Sequence, residues 1–583
     1  MEWASRDKVD LHLILMRLFN KIFSWIDNQR IIFYIFVVLI SLPNFVLFYT
    51  ERMPLLVRVS NLVLPFAVFW YLFTLTKKPG KMFWILFLFI FYDAFQIVLL
   101  YLFGESVIAV DMFLNVVTTN SVEIEELLGN LLPALVIVFT IYGGMIVLAI
   151  RSLMNKEVLS DEFRKAQRRR SLVFMACGAV LVLCSFCFSK GFSLHHDIYP
   201  VNVAYNMCLA IDRQISNNRY FDTSKDFTFG ARAEHRPDER EIYVLVIGET
   251  ARADNFGIYG YGRNTTPNLL EEKSIVVVRD ALTESNTTHK SVPMLLSAVS
   301  AEHFGDIYSQ KSIITAFKEA GFYTMFISNQ RPNHSFIDFF GSEANYATFI
   351  KEDLPTTANV LDEAMLNIMA KQLAEAECDK VFVVLHTYGS HFNYKERYTD
   401  ADACFKPDTA MEAKFKNRDM LVNAYDNSIR YTDKFLGGLI KALREYGGKS
   451  VLAYTSDHGE DIFDDERKLF LHASPIPSYY QLRVPLVLWA SDDYVERYGD
   501  VWNNVLENCS KPVSVNKNLF HTLLSLGGIS TDYRIDSLSL ASPSFKPTKR
   551  YYLNDHNEAI GLESTGMGEL DIRMFEKNGL QYP

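Results

Sequence analysis

The distribution of apolar residues divides this 583-residue chain into two parts. Up to residue 189, Phe, Leu, Ile and Val form long blocks that are interrupted by clusters of Lys and Arg. After residue 240, the apolar runs are short and alternate with amphipathic stretches, which is typical of a soluble α/β domain. The polar segment between them, residues 190–240, predicts a bridging interfacial helix followed by an exposed linker.

The apolar blocks of the first part are long enough to cross a lipid bilayer, which takes about 20 mostly apolar residues in a helix. Five segments meet this requirement, near residues 31–49, 61–76, 82–103, 131–150 and 171–188. We therefore predict a transmembrane domain over residues 1–189. The alternative, buried core helices of a soluble protein, fits neither the lengths of these blocks nor their basic flanks.

Basic residues predict the orientation of these spans. Lys and Arg precede the first span, join the second to the third, and join the fourth to the fifth, whereas the loop between the third and fourth spans has none. Because basic loops stay in the cytoplasm, five spans place the chain after Ser189 outside it. The segment before the first span is too long and too polar for a cleaved signal peptide.

The second part alternates short apolar runs with helical stretches. Strands are predicted near residues 242–247, 275–278, 323–328, 380–386, 450–456 and 484–489. Helices are predicted near residues 312–320, 358–377 and 419–446. This alternation predicts a mainly parallel sheet, covered by helices on both faces, over residues 241–583.

Composition narrows the range of functions. The net charge is −10, and no basic stripe with interleaved aromatic residues is present, so the sequence gives no support for nucleic-acid binding. Of the seven cysteines, only Cys378, Cys404 and Cys509 belong to the second part. Three cysteines do not form a disulfide framework, although one pair could form.

Polar residues recur where the predicted strands end, and in an open sheet those ends meet at the edge where ligands bind. Glu249, Asp457 and His458 offer three zinc ligands with one open position. The hydroxyl of Thr288 could fill that position, and coordination would turn it into a nucleophile for a phosphoryl group. Taken singly, each residue has a structural alternative, such as a helix-terminal carboxylate or a turn threonine.

Further residues could handle a phosphoryl group. His391 and His472 could ligate a second metal, bind phosphate or protonate a leaving group. Asn329 and Gln330 offer neutral hydrogen-bond donors. In the outward loop at residues 104–130, apolar and polar residues are mixed, so the loop is either a solvated connector or an interfacial segment that faces the catalytic domain.

Together these motifs resemble the phosphoethanolamine transferases of Gram-negative envelopes, within the alkaline phosphatase and sulfatase superfamily. The run Gly248-Glu249-Thr250-Ala251-Arg252-Ala253-Asp254 is similar to the first metal motif of that family, and Ser456-Asp457-His458-Gly459-Glu460 is similar to the second. Ser291-Val292-Pro293 matches the tripeptide after the nucleophile, which places the nucleophile at Thr288 rather than Thr287.

The resemblance implies a five-helix transmembrane domain in the inner membrane and a periplasmic, sulfatase-like α/β domain. It implies a monomer with one tightly bound Zn²⁺ and a second zinc as an alternative. Thr288 would take phosphoethanolamine from phosphatidylethanolamine and pass it to lipid A or to the lipopolysaccharide core. Asn115, Thr119 and Glu123 match the loop pattern that handles the lipid donor, and Asn329, His391 and His472 match phosphate-binding or second-metal residues.

Other functions stay open from the sequence. A glycerol-phosphate transferase like the lipoteichoic acid synthases would share the five spans and the threonine nucleophile. A sulfatase would need a Cys or Ser that is converted to formylglycine, and none is found at the corresponding position. A non-catalytic membrane sensor would tolerate the loss of Thr288. Many relatives carry Cys-Gly where this chain has Glu284-Ser285-Asn286, which leaves the acceptor open.

Overall fold

The computed structural model describes residues 27–51, 53–103, 107–118, 133–189, 192–355, 358–376, 378–410 and 412–582. They divide into two compact units. The first ends at Ile211 and the second begins at Asp212, with the described residues 114–118 grouped with the second.

The first unit is helical. Its helices are Gln29–Ile40, Leu42–Thr50, Leu55–Phe73, Pro79–Ile85, Phe87–Phe103, the π-helical turn Phe139–Gly143, Gly144–Met154, Asp161–Phe188, Leu194–Asp197 and the first residues of Val110–Thr118. Phe33, Phe36 and Met145 are buried between helices, whereas Val173 and Leu183 are largely exposed. An outer surface this rich in apolar side chains is typical of a protein that contacts lipid.

Four continuous helical stretches among the described residues are long and apolar enough to cross a membrane, namely Gln29–Thr50, Leu55–Phe73, Pro133–Met154 and Asp161–Phe188. The segment predicted as the third span, residues 82–103, is instead a bent pair: Pro79–Ile85 and Phe87–Tyr101 meet at 74°. Leu86 separates them with non-helical backbone angles of −93° and 9°. If the pair counts as one span, the total is five.

The bridging segment contains the predicted helix, at Val201–Asn218, followed by a short helix at Tyr220–Thr223. The chain after it is not a free linker. Arg232–Ala233 pairs in antiparallel fashion with Ile529–Ser530 of the second unit.

The described part of the second unit is built on a seven-stranded sheet. Its strands in chain order are β1 (Glu241–Gly248), β2 (Ile275–Val277), β3 (Tyr323–Ser328), β4 (Tyr346–Phe349), β5 (Lys380–His386), β6 (Lys449–Ser456) and β7 (Leu486–Ala490). Their spatial order is β2-β7-β6-β1-β5-β3-β4. Strand β1 therefore lies at the centre, between β6 and β5.

The sheet is mainly parallel, as the sequence predicts. Strands β6, β1, β5, β3 and β4 run parallel, whereas β7 is antiparallel to both β6 and β2. A parallel connection needs a crossover, usually a long helix. The chain from β6 to β7 contains only the helix Tyr479–Leu482 and two short strands, Asp461–Ile462 and Phe470–Leu471, so it returns in the opposite direction.

Both faces of the sheet are buried, because alternate residues of each strand point to opposite sides. On β1, Tyr243, Leu245 and Ile247 join one apolar cluster, and Ile242, Val244 and Val246 join the other. The covering helices are Pro267–Glu271, Thr288–Leu295, Ile313–Glu319, Phe336–Gly341, Ala364–Glu375, Arg418–Tyr446, Asp492–Arg497, Gly499–Asn508, Val515–Leu526 and Glu569–Lys577. Short strand pairs Ala281–Leu282 with Val513–Ser514 and Tyr551–Leu553 with Ala559–Gly561 lie outside the main sheet.

Candidate metal centre and active site

Three acidic and imidazole side chains meet at the carboxyl ends of two neighbouring strands. Glu249 directly follows β1, and Asp457 and His458 directly follow β6. Because Gly248 is paired with Ser456 across these parallel strands, the three residues emerge side by side. They are buried, and one ligand atom from each lies within 4.8 Å of the others.

The donor atoms of Asp457 and His458 are arranged for a cation. Oδ1 of Asp457 accepts hydrogen bonds from the backbone N–H groups of Thr250 (3.0 Å) and His458 (2.7 Å). Its Oδ2 is buried, has no hydrogen-bond donor within the described chain, and lies 3.3 Å from Nε2 of His458. A buried carboxylate oxygen without a partner is costly unless a positive charge lies beside it.

The imidazole of His458 presents a lone pair to the same point. Its Nδ1 lies 2.9 Å from the carbonyl oxygen of Gly459, and a carbonyl only accepts, so Nδ1 carries the proton and Nε2 is free to bind a metal. Two carboxylates and one such imidazole form a ligand set that zinc accepts.

Glu249 is held by neighbouring groups. Nε2 of Gln330 donates to Oε2 of Glu249 at 3.0 Å, and Oγ1 of Thr250 donates to Oε1 at 2.8 Å. Gly389 passes so close that an added Cβ would lie 2.8 Å from the backbone nitrogen of Glu249, and its φ of +49° also favours glycine. The carboxylate therefore has little freedom to turn away.

Thr288 completes the group. It opens the helix Thr288–Leu295, and its Oγ1 lies 3.1 Å from Nε2 of His458 and 3.3 Å from Oε1 of Glu249. Unlike Glu249, Asp457 and His458, Thr288 is partly exposed, so its hydroxyl is accessible from outside the domain. The amino end of a helix favours negative charge, which suits a phosphoryl group on this hydroxyl.

Two further imidazoles border this group. The rings of His458 and His472 are 4.0 Å apart, and those of His391 and His472 are 6.4 Å apart. Glu460 orients His472, since its Oε1 lies 3.0 Å from Nδ1 of that ring. Burial lowers the pKa of His391 to about 4 and that of His472 to about 3, so both imidazoles are neutral at pH 7.

The remaining predicted site residues have other positions. Nδ2 of Asn329 donates to the carbonyl of Val360 (2.9 Å) and to Oδ1 of Asp362 (2.8 Å), so this amide faces the 360–362 loop, and its neighbour Gln330 contacts Glu249 instead. Thr119, Glu123 and the side chain of Asn115 lie outside the described residues.

Glu460 and Asp362 also contact this region, although neither was predicted as a site residue. The signal for Glu460 was present, because it belongs to the run Asp457-His458-Gly459-Glu460, and carboxylates near metal sites commonly hydrogen-bond to histidine rings. Asp362 accepts backbone N–H groups from Tyr388 and Gly389, far along the chain, and nothing in its local sequence indicates this.

Comparisons with known proteins bear on the family and the fold of the chain. Residues 241–529 match the Sulfatase family model. The chain is 30% identical over 290 residues to the Kdo(2)-lipid A phosphoethanolamine 7''-transferase of Escherichia coli strain K12, covering 49% of this chain and 50% of that protein. It is 31% identical over 304 residues to phosphoethanolamine transferase EptA of the same strain, covering 50% and 54%. The matched region spans about half the length of these curated relatives.

Solved structures share the fold. The integral membrane protein EptA from Neisseria meningitidis, a lipooligosaccharide phosphoethanolamine transferase, aligns with 86% of this chain and 98% of its own at a TM-score of 0.67 and 22% identity. The zinc complex of the periplasmic domain of EptC from Escherichia coli aligns with 58% of this chain and 97% of its own at a TM-score of 0.53 and 24% identity. The resemblance inferred from the motifs, and the fold of a membrane domain joined to an α/β domain, are confirmed.

Proposed function

Since residues 241–529 form a domain of the sulfatase family, we propose that the protein transfers phosphoethanolamine from phosphatidylethanolamine to lipid A or to the lipopolysaccharide core. The observation that carries this proposal is the position of Thr288, whose Oγ1 is directed at the donor atoms of Glu249 and His458. The names of the relatives support phosphoethanolamine as the group and lipid A as the acceptor.

The residues present fit a zinc ion. Glu249, Asp457 and His458 would hold it, the unpartnered Oδ2 of Asp457 would gain a positive neighbour, and the hydroxyl of Thr288 would take the remaining position. When bound, Zn²⁺ would lower the pKa of that hydroxyl and make it a nucleophile at neutral pH. We propose one tight zinc site. In the alternative with two zinc ions, His391 and His472 would be ligands of the second.

In the first half-reaction, Oγ1 of Thr288 attacks the phosphorus of phosphatidylethanolamine. A bond forms between Oγ1 and phosphorus, the bond from phosphorus to the glycerol oxygen breaks, and the hydroxyl proton of Thr288 ends on the diacylglycerol that leaves. The first turn of the helix Thr288–Leu295 stabilises the negative charge on the phosphoryl oxygens.

In the second half-reaction, an oxygen of the acceptor attacks the same phosphorus, and the bond to Oγ1 of Thr288 breaks. The rings of His472 and His391 border the site and, being neutral, can accept a hydrogen bond from an incoming hydroxyl. Thr288 regains a proton, and the enzyme returns to its starting state.

The proposed location follows from the lipid donor and acceptor. The spans of residues 1–189 would cross the inner membrane, and the domain at residues 241–583 would lie in the periplasm. Asn115, Thr119 and Glu123 would handle the donor at the membrane. An added ammonium group lowers the anionic charge of lipid A, so we expect weaker binding of cationic peptides such as polymyxin.

Mass spectrometry of lipid A and core sugars tests the proposal, in cells that carry the gene, lack it, or carry Thr288→Ala. A phosphoethanolamine-sized increase that depends on Thr288 is the expected result. A glycerol-phosphate increase on an envelope glycan would support the alternative transferase instead. An unchanged envelope in all three strains would overturn the assignment.

A further inference from the structure

A buried asparagine far along the chain links the segment that carries Thr288 to the segment that carries Asp457 and His458. Asn516 belongs to the helix Val515–Leu526, on the side of the sheet that carries the helix of Thr288. Only 1% of its surface is exposed. Nothing in its local sequence distinguishes it from an ordinary polar residue of an amphipathic helix.

The amide of Asn516 bonds to the chain on both sides of the nucleophile. Its Oδ1 accepts from the backbone N–H of Glu284 at 2.7 Å. Its Nδ2 donates to the carbonyl oxygen of Ser291 at 3.0 Å and lies 2.9 Å from Oγ of the same residue. Thr288 lies between these two contact points, so one side chain fixes the segment that carries it.

The same partners continue to a metal-ligand candidate. Oγ of Ser291 donates to the backbone oxygen of Asp457 at 2.6 Å, and Oγ1 of Thr283 lies 2.7 Å from that oxygen. Thr283 also lies 3.0 Å from Oδ1 of Asn516. The network therefore joins the loop and helix around Thr288 to the end of β6.

Only one orientation of the side-chain amide of Asn516 satisfies its hydrogen-bond partners. The N–H of Glu284 can only donate and the carbonyl of Ser291 can only accept, so oxygen and nitrogen of the Asn516 side chain cannot be exchanged. An aspartate at this position would place a carboxylate oxygen against the carbonyl of Ser291. Buried networks in which each member is satisfied hold their members rigidly.

We propose that Asn516 is a positioning residue, which fixes Oγ1 of Thr288 relative to the ligand Asp457 without contacting either the substrate or the metal. This inference rests on the proposed function for its kinetic consequence. Its structural consequence, a defined ligand geometry, does not depend on which group is transferred.

The same helix provides a matched control. Asn518 is also buried, at 3% exposure, and makes the same kinds of bond: Oδ1 accepts from the N–H of Ser514 at 3.0 Å, and Nδ2 donates to the carbonyl of Leu538 at 2.9 Å. Both of its partners belong to segments outside the candidate site. Asn518→Asp therefore repeats the chemical change of Asn516→Asp without disturbing the Thr288 segment.

The test uses the full-length protein in detergent, with phosphatidylethanolamine and lipid A as substrates. For Asn516→Asp, we expect kcat to fall by about 10- to 100-fold, because misplacing a reacting atom by an ångström costs on that order. KM should stay within about twofold, since substrate contacts are intact. Zinc affinity, measured by chelator competition without substrate, should fall by about tenfold.

Asn518→Asp should lower Tm about as much as Asn516→Asp does. Its kcat and zinc affinity should stay near those of the wild type. If Asn516→Asp fails to fold, Ser291→Ala, which removes one hydroxyl of the network, should show the same split between kcat and KM. Equal kinetic losses in the two aspartate variants, or none in Asn516→Asp and Ser291→Ala, would overturn the inference. If the wild type transfers no phosphoethanolamine, the proposed function fails, and the zinc comparison still tests Asn516.

Discussion

Oγ1 of Thr288 lies 3.1 Å from Nε2 of His458, although 170 positions separate the two residues in the chain. The strand β6 delivers the imidazole and the first turn of the helix Thr288–Leu295 delivers the hydroxyl. A hydroxyl oxygen at this distance from a nitrogen with a free lone pair can bind the same metal ion as that nitrogen.

Replacing Thr288 by Ala should reduce phosphoethanolamine transfer by more than about a thousandfold, because its partly exposed hydroxyl is the proposed nucleophile and lies beside both Glu249 and His458. Thr287→Ala is the matched control. Oγ1 of Thr287 bonds to Ser285 rather than to a ligand, so activity should stay within about tenfold of wild type. Transfer assays and intact-mass detection of modified Thr288 measure both effects. Equal losses in the two variants would contradict the assignment.

Removing the metal should lower stability as well as activity. Two carboxylates and one imidazole are buried together, and a bound cation offsets their repulsion. A ligand at 100 times its Kd stabilises the folded state by about 2.7 kcal/mol. We expect Tm to rise when zinc is added to chelator-treated protein and this rise to disappear in Asp457→Asn. A zinc-independent Tm in the wild type would argue against the site.

Substitutions of Gln330 should lower the zinc affinity in a definite order. Gln330→Ala removes the hydrogen bond to Oε2 of Glu249, and Gln330→Glu places a second carboxylate against it. Loss of such an outer contact typically costs about 10- to 100-fold in metal affinity. We therefore expect zinc affinity to fall in the order wild type, Gln330→Ala, Gln330→Glu, as measured by chelator competition. The reverse order of the two variants would show that this contact does not orient Glu249.

Stability should depend on pH through Glu284. Burial raises the pKa of this carboxyl from 4.5 to about 7, and its Oε2 accepts a hydrogen bond from the N–H of Ala301 at 2.8 Å. The pKa of Glu284 is higher in the folded protein than in the unfolded chain. Its favourable contribution to the free energy of unfolding is therefore complete below pH 4.5 and is lost as the pH rises to 7. The full loss is about 3 kcal/mol.

Glu284→Gln should therefore raise Tm relative to wild type at pH 8 and change it little at pH 5. Glu569→Gln serves as the control, since the side chain of Glu569 is exposed and paired with Arg573. Thermal unfolding of the three proteins at both pH values checks the prediction. An equal Tm difference at the two pH values would show that Glu284 does not titrate on unfolding in this range.

The sequence predicted the elements that depend on local patterns. The run of residues 242–247 became β1, and the helix predicted at residues 419–446 is Arg418–Tyr446 in the structure. The helix predicted near 358–377 is shorter, Ala364–Glu375, because element ends depend on contacts that the pattern does not contain. The strand Tyr346–Phe349 at the sheet edge was missed, since only half-buried and exposed residues compose it.

The candidate site was predictable to the extent that strand ends are predictable. Glu249, Asp457 and His458 follow apolar runs, and parallel strands bring their carboxyl ends to one edge of a sheet. The bend between Pro79–Ile85 and Phe87–Tyr101 and the reversed direction of β7 have no comparable signature, because each depends on how distant segments pack. The same is true of the contact between Gln330 and Glu249.

By itself, the sequence determined the division into an apolar part and an α/β part, six of the seven strands described in the central sheet, and the polar residues at their ends. Those features follow from the two- and 3.6-residue periods of burial, which are local. Only the tertiary structure decided that Asn516 holds the segment of Thr288 and that Oγ1 of Thr288 lies 3.1 Å from Nε2 of His458. Hydrogen bonds between segments more than a hundred residues apart depend on the packing of the whole sheet, and no local period encodes them.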